Sequence, residues 1–408
     1  MSNKKIIFSQ IISLIPWYQF DKIVSKYRGN YKTQNFKCRD HLLVMIFAQL
    51  TYREGLRAIE SSLNSQREKL YHMGFKCNNL ARNTIANANE IRDYRIYEEL
   101  ASILTSRAKE LYSDEKILDD FEFDKSIYAL DSSVINICFS FAPWAKYMEK
   151  KEIGALKLHS LIDLKGNIPS VNVVTDGKVY DGAILDILPF EVGSIYIMDR
   201  GYLDYKRLYN IERNKSFFIT RTTNNIKLKR LYSNKKPKPK TEENAEQNSE
   251  QNDFVASDQI VSFVTKDAKK SYPQNLRRVR YKFKEKGEKK FKYLTFLTNN
   301  LTLEALTIAR LYKKRWQIEL FFKWIKQHLK IKTFYSYSEN GVKVQIWTAI
   351  CTYLLVAILK KELKIDRSLY EILQVLSVNV FERTQVNQLF SEFDCKSYKD
   401  EDRQPLLF

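Results

Sequence analysis

The chain has 408 residues, of which 44% are hydrophobic and 13% aromatic, a composition that excludes a disordered protein. This length is enough for two or three domains. Lysine and arginine number 68 against 48 acidic residues, which leaves a formal net charge of +20. The excess favours a polyanionic partner, most simply nucleic acid, although a lysine-rich proteome would produce the same balance.

The cysteine and histidine patterns argue against a disulfide framework or a zinc site. The five cysteines are odd in number and widely spaced, with no CxxC pair, and the four histidines lack zinc-ligand spacing. The longest apolar run, residues 346–359, is too short to span a bilayer and is more typical of a buried helix. We therefore expect a soluble cytoplasmic protein with free thiols.

The first 115 residues read as helical. The periodicity predicts helices at 5–14, 18–27, 40–50, 55–64 and 84–111, with Asp40 and the pair Asn83–Thr84 as N-caps. A turn at Gly55, a short helix and then a helix with a polar start are compatible with helix-turn-helix DNA binding. The polar residues of that start are Arg82, Asn83, Asn87 and Asn89. An ordinary helical bundle explains the same pattern, and the motif has little sequence specificity.

Residues 116–221 change to strand-like segments. The pattern predicts strands at 126–137, 157–164, 168–175, 194–198 and 216–220, with a turn at Lys165-Gly166-Asn167. Helical segments follow the third strand, near 181–188, and the fourth, at 205–214. Three strands in a meander, followed by helix, strand, helix and strand, indicate a mixed sheet with helices in an α/β domain.

Residues 222–300 interrupt this pattern. Residues 233–252 are of low complexity, with a basic half before an acidic half rich in glutamine and asparagine. Strand-like segments surround them at 259–265, 276–283 and 292–297, and the middle one carries Arg277, Arg278, Arg280, Lys282 and Lys284. The interpretation is a β-rich insertion with a basic face, and a solvated charged hairpin is an equal alternative.

The stretch 312–330 predicts a helix with one polar stripe, followed by apolar and then shorter helices between 342 and 389. Tyr312, Arg315, Glu319, Lys323 and Lys326 lie at helical spacing along that stripe. A carboxylate among cations is either part of a surface ion-pair ladder, with a few tenths of a kcal/mol per pair, or a metal ligand beside phosphate-binding groups.

Three acidic residues are notable for their context. Asp131 interrupts an apolar strand, Asp199 ends one, and Glu319 lies on the basic stripe. Each alone has an ordinary explanation: a backbone cap, a turn former or a partner of Arg315. Residues at strand ends collect at one edge of an α/β sheet, so the three could converge. Three oxygen ligands without histidine or cysteine suit Mg²⁺ or Mn²⁺, and two such ions can drive phosphodiester displacement.

Three motifs carry a family resemblance. ALDSS at 129–133, MDRGY at 198–202 and the pattern Tyr312-x-x-Arg315-x-x-x-Glu319-x-x-x-x-x-x-Lys326 resemble the signature of the insertion-sequence-four group of DDE transposases. The resemblance covers residues 120–335. It implies an RNase H-like mixed five-stranded sheet with flanking helices, a β-rich insertion, and an all-α N-terminal domain that binds DNA.

The resemblance also implies roles for individual residues. Asp131, Asp199 and Glu319 would be the catalytic metal ligands, holding two Mg²⁺ ions with Mn²⁺ as a substitute. The DNA contacts would be Tyr312, Arg315 and Lys326, with Arg200, Tyr202 and Trp316 as further candidates, the two aromatic rings for a flipped base. Lys323 is a candidate from its place on the stripe and lies outside the family pattern. His159 is more typical of a strand histidine than of a catalytic group.

We therefore expect a transposase that binds terminal inverted repeats and catalyses metal-dependent DNA cleavage and strand transfer. A hydrolytic nuclease of the same fold and a non-catalytic DNA-binding relative are the alternatives. The expected domains are a helical DNA-binding domain at 1–115, a catalytic domain at 116–390 interrupted by the insertion at 222–300, and a polar tail at 391–408. The expected partners are double-stranded transposon ends and target DNA, with a homodimer in the complex, nucleoid association and no membrane.

Overall fold

The computed structural model describes residues 5–138, 142–148, 153–222, 226–234, 254–284, 290–328 and 334–391. Almost all of the low-complexity segment 233–252 and of the polar tail 391–408 lies outside these ranges. The described chain divides into two compact units. Unit 1 comprises residues 1–104 and 333–408, and unit 2 comprises residues 105–332.

The described helices begin and end close to the predicted ones in most cases. They are α1 (Ile7–Ile12), α2 (Trp17–Lys26), α3 (Cys38–Leu50), α4 (Leu56–Asn64), α5 (Arg67–Leu70), α6 (Arg82–Ile91), α7 (Arg95–Leu111), α8 (Tyr205–Arg213), α9 (Lys266–Ser271), α10 (Ala305–Lys313), α11 (Trp316–His328), α12 (Glu339–Glu362), α13 (Leu369–Asn379) and α14 (Val386–Ser391). Short 3₁₀ helices occur at Tyr71–Met73, Asp181–Asp186 and Arg200–Tyr202.

Ten strands form one mixed sheet, so the α/β prediction is confirmed. They are β1 (Ile127–Cys138), β2 (Lys146–Met148), β3 (Ile153–Asp163), β4 (Ile168–Asp176), β5 (Ile195–Met198), β6 (Phe217–Arg221), β7 (Leu228–Ser233), β8 (Phe254–Phe263), β9 (Leu276–Phe283) and β10 (Lys292–Thr298). The strand order is β2-β3-β1-β5-β6-β10-β9-β8-β7, with β4 also paired to β3. Strands β2 and β7 were not predicted.

The sheet combines antiparallel and parallel strand pairs. β1, β3 and β4 form the predicted antiparallel meander, and Gly166 and Asn167 take positive φ in its turn. β1, β5 and β6 are parallel. β10 pairs antiparallel with β6, so the predicted insertion continues the main sheet through β9, β8 and β7. The insertion strands thus extend the main sheet from β6, a connection that the sequence could not show.

Side chains of β1 alternate between two buried faces. Tyr128 and Leu130 pack in the same core cluster as Tyr196 and Met198, their register partners on β5. Residues 127–130 are at most 1% exposed, so both faces of this strand are covered. The period-two alternation therefore sends Asp131 and Ser132 to opposite faces.

Unit 1 is organised around α12. Its side chains from Val344 to Ile358 are buried, and it contacts α1, α3, α6 and α13. By length and composition this helix could cross a membrane, but 94% of its apolar window is buried inside the protein, as in the core helix of a soluble protein. Residues 334–391 cluster with the N-terminal helices rather than with the sheet. The predicted domain boundaries had assigned them to the catalytic domain.

Two predicted helical features of unit 1 are wrong in detail. Asp40 is the third residue of α3, where its carboxylate accepts a hydrogen bond from the N-cap Lys37 amide. The predicted helix 84–111 begins at Arg82 and breaks between α6 and α7, because Arg92 adopts an extended conformation. The buried Arg92 guanidinium donates to the carbonyl oxygens of Phe36 and Lys37, which compensates for the break.

Candidate active site

Asp131 lies where β1 leaves its parallel neighbour. The last residue pair between β1 and β5 is Leu130 with Met198, so Asp131 and Asp199 are the next residues on the two strands. Beyond this point β1 continues only beside β3. The split between parallel strands creates a crevice of the kind in which α/β sheets place their functional residues.

Asp199 follows β5 directly and caps the short 3₁₀ helix Arg200–Tyr202. Its Oδ1 atom accepts a hydrogen bond of 2.7 Å from the amide of Gly201. Its backbone oxygen accepts one of 3.0 Å from the hydroxyl of Thr220 on β6. These two contacts hold the carboxylate at the strand end while leaving its other oxygen available within the described structure.

The predicted helix 312–330 is two helices, α10 and α11, with a tight turn at Lys314–Arg315. Hydrogen bonds between Arg315 N and Tyr312 O, and between Gln317 N and Lys314 O, join residues three apart, so the chain winds more tightly than an α-helix there. The continuous stripe predicted from the sequence is therefore interrupted. Glu319 lies in the first turn of α11, which packs on β1.

Arg315 connects two of the three acidic residues. Its Nη1 atom is 3.0 Å from Asp131 Oδ2, and its Nη2 atom is 2.5 Å from Glu319 Oε1. The side chains of Arg315, Asp131 and Glu319 are 16%, 22% and 33% exposed. Arg315 and Glu319 form the ion pair that the ladder interpretation predicted, but the pair is partly buried, and Arg315 also pairs with Asp131 on the sheet.

The electrostatics of the site centre on Asp131. Burial raises the pKa of its carboxyl group to about 6. The amide of Ser132 and the guanidinium of Arg315 favour the ionised form, whereas the negative charges of Asp199 and Glu319 oppose it. Both other acidic residues of the predicted triad are therefore close enough to act on Asp131.

The chemistry of this donor set fits a hard divalent cation. Carboxylate oxygens are the ligands that Mg²⁺ and Mn²⁺ prefer, and a guanidinium already lies on two of the three carboxylates as a cation. Among the residues that the structure describes, no group of three or more His, Cys, Asp or Glu side chains is placed closely enough to hold an ion. The three carboxylates therefore fit a divalent metal ion in ligand type and charge, but they do not lie at ligand spacing in this structure.

The other predicted site residues separate into exposed and buried ones. Lys323, Arg200 and Trp316 are exposed, Trp316 to 57%, and Lys326 is partly exposed. Tyr202 is 1% exposed in the core cluster, so its ring is not available to a flipped base as predicted. Tyr312 is also buried, with its ring centroid 4.7 Å from that of Phe296 and 5.9 Å from the Arg315 guanidinium, and its contact with DNA stays a prediction.

Two ion pairs of buried cations, one near the site and one beyond it, were not predicted. Lys157 on β3 pairs with Asp181 at 3.0 Å, and Asp181 also accepts a hydrogen bond from Ser132. Arg277, which the sequence placed on the basic face, instead pairs with Asp258 in the interior. For Lys157 the available signal was a lone cation in a mostly apolar strand, since such a charge needs a partner. Arg277 lies among several other cations on its strand and gave no such signal.

A mixed sheet that carries Asp131 and Asp199 at the split between two parallel strands, with Glu319 on an adjoining helix, is the arrangement expected of a DDE domain. The family model of the transposase DDE domain matches residues 122–355, more than half of the chain. The chain belongs to this family, and the resemblance predicted from the motifs is confirmed. Residues 3–76 match a second family, the domain of unknown function DUF4372.

Relatives in this family bear the names of transposases. A Sinorhizobium fredii protein named for transposase y4zB is 32% identical over 243 residues, which are 60% of this chain and 64% of that protein. A Synechocystis protein named for the transposase of insertion sequence element IS4SA is 26% identical over 347 residues, 83% of this chain and 88% of the relative. The chain thus spans a little under two-thirds of the first relative.

A solved structure also resembles the chain, more weakly. It is a piggyBac transposase in a synaptic complex with hairpin DNA, at 9% identity and a TM-score of 0.42, covering 95% of this chain and 80% of that one. This likeness is too weak to bear on the function.

Proposed function

We propose that the chain is the transposase of an insertion sequence, which binds terminal inverted repeats, cleaves DNA beside them and joins the ends to target DNA. The observation that carries the proposal is the juxtaposition of Asp131 with Asp199 and Glu319, acidic residues that are far apart in the sequence, inside the matched transposase domain. The names of the relatives support the same reaction.

The strand order supports an RNase H-like core within the larger sheet. This core would comprise β4, β3, β1, β5 and β6, which are adjacent in that order, the first three antiparallel and the last three parallel. Strands β7 to β10 would then be the insertion between the second and third acidic residues.

The family implies dependence on a divalent metal. We assign the ligands to Asp131, Asp199 and Glu319, and the metal to two Mg²⁺ ions for which Mn²⁺ can substitute. When bound, such ions make water or a DNA hydroxyl a better nucleophile and stabilise the departing oxygen. Arg315 pairs with both Asp131 and Glu319 and offsets part of their negative charge.

Exposed basic residues of unit 2 would hold the DNA backbone. Near the acidic residues these are Arg200, Lys323 and Lys326, with Trp316 as the exposed ring that can stack on a base.

Strand β9 would supply a second basic surface. Its alternation sends Arg278, Arg280 and Lys282 to the face opposite Arg277 and Tyr281. The Arg280 guanidinium lies 4.3 Å from the ring centroid of Tyr293, and Lys282 lies over Phe254 and Phe291, which makes this a basic and aromatic face.

The N-terminal helices would recognise the transposon ends. Arg82, Asn83 and Asn87 are exposed along α6, whereas Asn89 is buried and its Oδ1 atom accepts a hydrogen bond from His41 Nε2. The predicted division is a DNA-binding domain at 1–115, a catalytic domain at 116–390 interrupted at 222–300, and a tail at 391–408, and we propose it with the change that residues 334–391 pack with the N-terminal helices. The complex would be a homodimer on paired ends, in the cytoplasm and at the nucleoid.

Single substitutions in the acidic residues test this proposal. Asp131→Asn, Asp199→Asn and Glu319→Gln should each abolish cleavage and joining of the inverted repeats that flank the gene, while end binding is retained, because only ligand charge is removed. Glu304→Gln is the control, since it removes one exposed carboxylate from the same unit. Activity that survives in any of the three variants would refute that residue's role.

A strand-transfer assay separates the proposed reaction from the alternatives. Joining of cleaved ends to a target plasmid is expected of a transposase. Cleavage without joining would indicate a hydrolytic nuclease, and end binding without metal-dependent cleavage would indicate a non-catalytic relative.

A further inference from the structure

Lys157 is a buried cation in an apolar strand next to the candidate active site. It lies on β3, and its side chain is only 11% exposed. Its Nζ atom donates to the carbonyl oxygen of Val179 at 2.7 Å and lies 3.0 Å from Asp181 Oδ1. Because it is buried and already bonded to two oxygens, Lys157 is poorly placed to contact a DNA phosphate.

Asp181 connects this lysine to the strand that carries Asp131. It is the first residue of the 3₁₀ helix that follows β4, so its position depends on the chain segment between β4 and β5. The same Oδ1 atom that faces Lys157 accepts a hydrogen bond of 2.6 Å from the hydroxyl of Ser132. Three separate segments of unit 2 therefore meet at one carboxylate oxygen.

Ser132 in turn contacts the candidate metal ligand. Its backbone amide donates to Asp131 Oδ1 at 2.8 Å. Both residues lie on the part of β1 that has passed its last pair with β5. The hydrogen bond from the Ser132 hydroxyl to Asp181 holds β1 in place at the point where the support of β5 ends.

We propose that Lys157, Asp181 and Ser132 form a positioning relay that fixes the Asp131 carboxylate. This inference rests on the proposed function, since it assigns Asp131 to the metal site. Asp181 receives the Ser132 hydroxyl, Lys157 compensates the charge of Asp181, and the anchored strand presents Asp131 to the opposite face of the sheet. The relay residues are positioning residues and do not contact the DNA themselves.

The physical reason is the precision that a metal or catalytic site requires. Such sites need ligands held to within about 0.5 Å of the productive geometry by neighbouring side chains. Residues that orient metal ligands typically change metal affinity or activity about 10–100-fold when they are replaced. A loss in that range is expected here although none of the relay residues is a ligand.

The decisive variants change one hydroxyl group. Ser132→Ala removes the hydrogen bond to Asp181 and leaves the backbone amide that contacts Asp131, whereas Ser132→Thr retains a hydroxyl and suits a strand. Ser216→Ala is the matched control, because it removes a buried hydroxyl that donates to Glu191 O at 2.8 Å in the same unit. All three are compared as full-length protein.

Calorimetry measures the binding of Mn²⁺ to the protein without DNA. Single-turnover cleavage and binding of the transposon ends are measured on the same variants. Ser132→Ala should weaken Mn²⁺ binding and slow cleavage about 10–100-fold with unchanged DNA affinity. Ser132→Thr should restore both, and Ser216→Ala should match the wild type. If Ser132→Ala binds Mn²⁺ as Ser216→Ala does, the relay is overturned.

A double variant tests the charged part of the relay. Removing Lys157 alone leaves Asp181 without its cation, so Lys157→Met is combined with Asp181→Leu to replace the ion pair by apolar side chains. Unfolding measurements should show that the double variant is folded, and calorimetry should show that it binds Mn²⁺ more weakly. A double variant that binds Mn²⁺ as tightly as the wild type would overturn the relay.

The wild-type chain separates the relay from the proposed function. If it does not bind Mn²⁺, both the metal assignment and the relay are overturned. If it binds Mn²⁺ but leaves DNA intact, the proposed function alone is overturned.

Discussion

Replacing Arg315 by methionine should destabilise the metal-free chain much more than the Mn²⁺-loaded chain. The guanidinium makes two charge-assisted hydrogen bonds, to Asp131 at 3.0 Å and to Glu319 at 2.5 Å. Methionine keeps most of the side-chain volume but removes the positive charge. Two like charges then remain close together without compensation, which raises the pKa of Asp131 above its value of about 6.

The magnitude follows from the exposure of the two pairs. A hydrogen bond to a charged group contributes about 1.5–3 kcal/mol, and solvent screening lowers that value for Glu319, which is 33% exposed. The free energy of unfolding should therefore fall by roughly 2–4 kcal/mol in Arg315→Met. A metal ion that binds only the folded chain at 100 times its dissociation constant adds about 2.7 kcal/mol and compensates the same charges.

Urea unfolding in EDTA and in saturating Mn²⁺ measures both quantities. Arg310→Met is the control, because its ion pair with Asp120 is 35% and 64% exposed and should contribute at most about 1 kcal/mol. Mn²⁺ should stabilise Arg315→Met more than it stabilises the wild type or the control. An equal effect of Mn²⁺ on all three proteins, or a loss in EDTA no larger than that of Arg310→Met, would refute the charge-compensation argument.

Three further predictions concern pH, the buried ion pair and DNA binding. Burial lowers the pKa of His159 to about 4, so the unfolded chain binds that proton first, and the contribution of His159 to the free energy of unfolding should fall by up to about 3 kcal/mol between pH 6.5 and 4. The raised pKa of Asp131 acts in the opposite direction, so the quantity to measure is the difference between wild type and His159→Gln, and a difference that does not change with pH would contradict the argument. Asp258→Ala leaves the buried Arg277 without its carboxylate and should cost about 3–5 kcal/mol in urea unfolding, whereas a loss below 1 kcal/mol would contradict the burial argument. Arg280→Ala should lower the slope of log affinity for DNA against log salt by about one, and an unchanged slope would exclude this residue from the interface.

The strands were predictable because their signals are local. Alternation and turn residues located the five strands of the predicted sheet, and the turn at Lys165-Gly166-Asn167 needs only two adjacent residues that tolerate positive φ. The breaks at Arg92 and Arg315 were not predictable, since both depend on groups elsewhere in the chain. Arg92 leaves helical geometry to reach two carbonyl oxygens near residue 36, and Arg315 reaches Asp131 on the sheet.

The partners of buried cations could not be predicted from the sequence either. Lys157 and Arg277 are recognisable as cations within strands, yet the sequence does not say which carboxylate neutralises them. Asp181 and Asp258 do so only after the sheet has formed. The sequence also could not show that Tyr202 and Tyr312, the two tyrosines assigned to DNA, are buried, because aromatic rings at motif positions are also the groups that a core buries most readily.

The amino-acid sequence alone determines the chemistry that is available: three carboxylates without thiol or imidazole ligands, a basic chain, and motifs typical of transposases of the DDE class. Only the tertiary structure decides that Asp131 and Asp199 leave two parallel strands at the same level and that α11 brings Glu319 beside them. It also decides that Arg315 lies on two of these carboxylates and that Ser132 ties the strand to Asp181. Residue types are local properties, whereas the distances between distant carboxylates follow from strand pairing and helix packing, which involve the whole of unit 2.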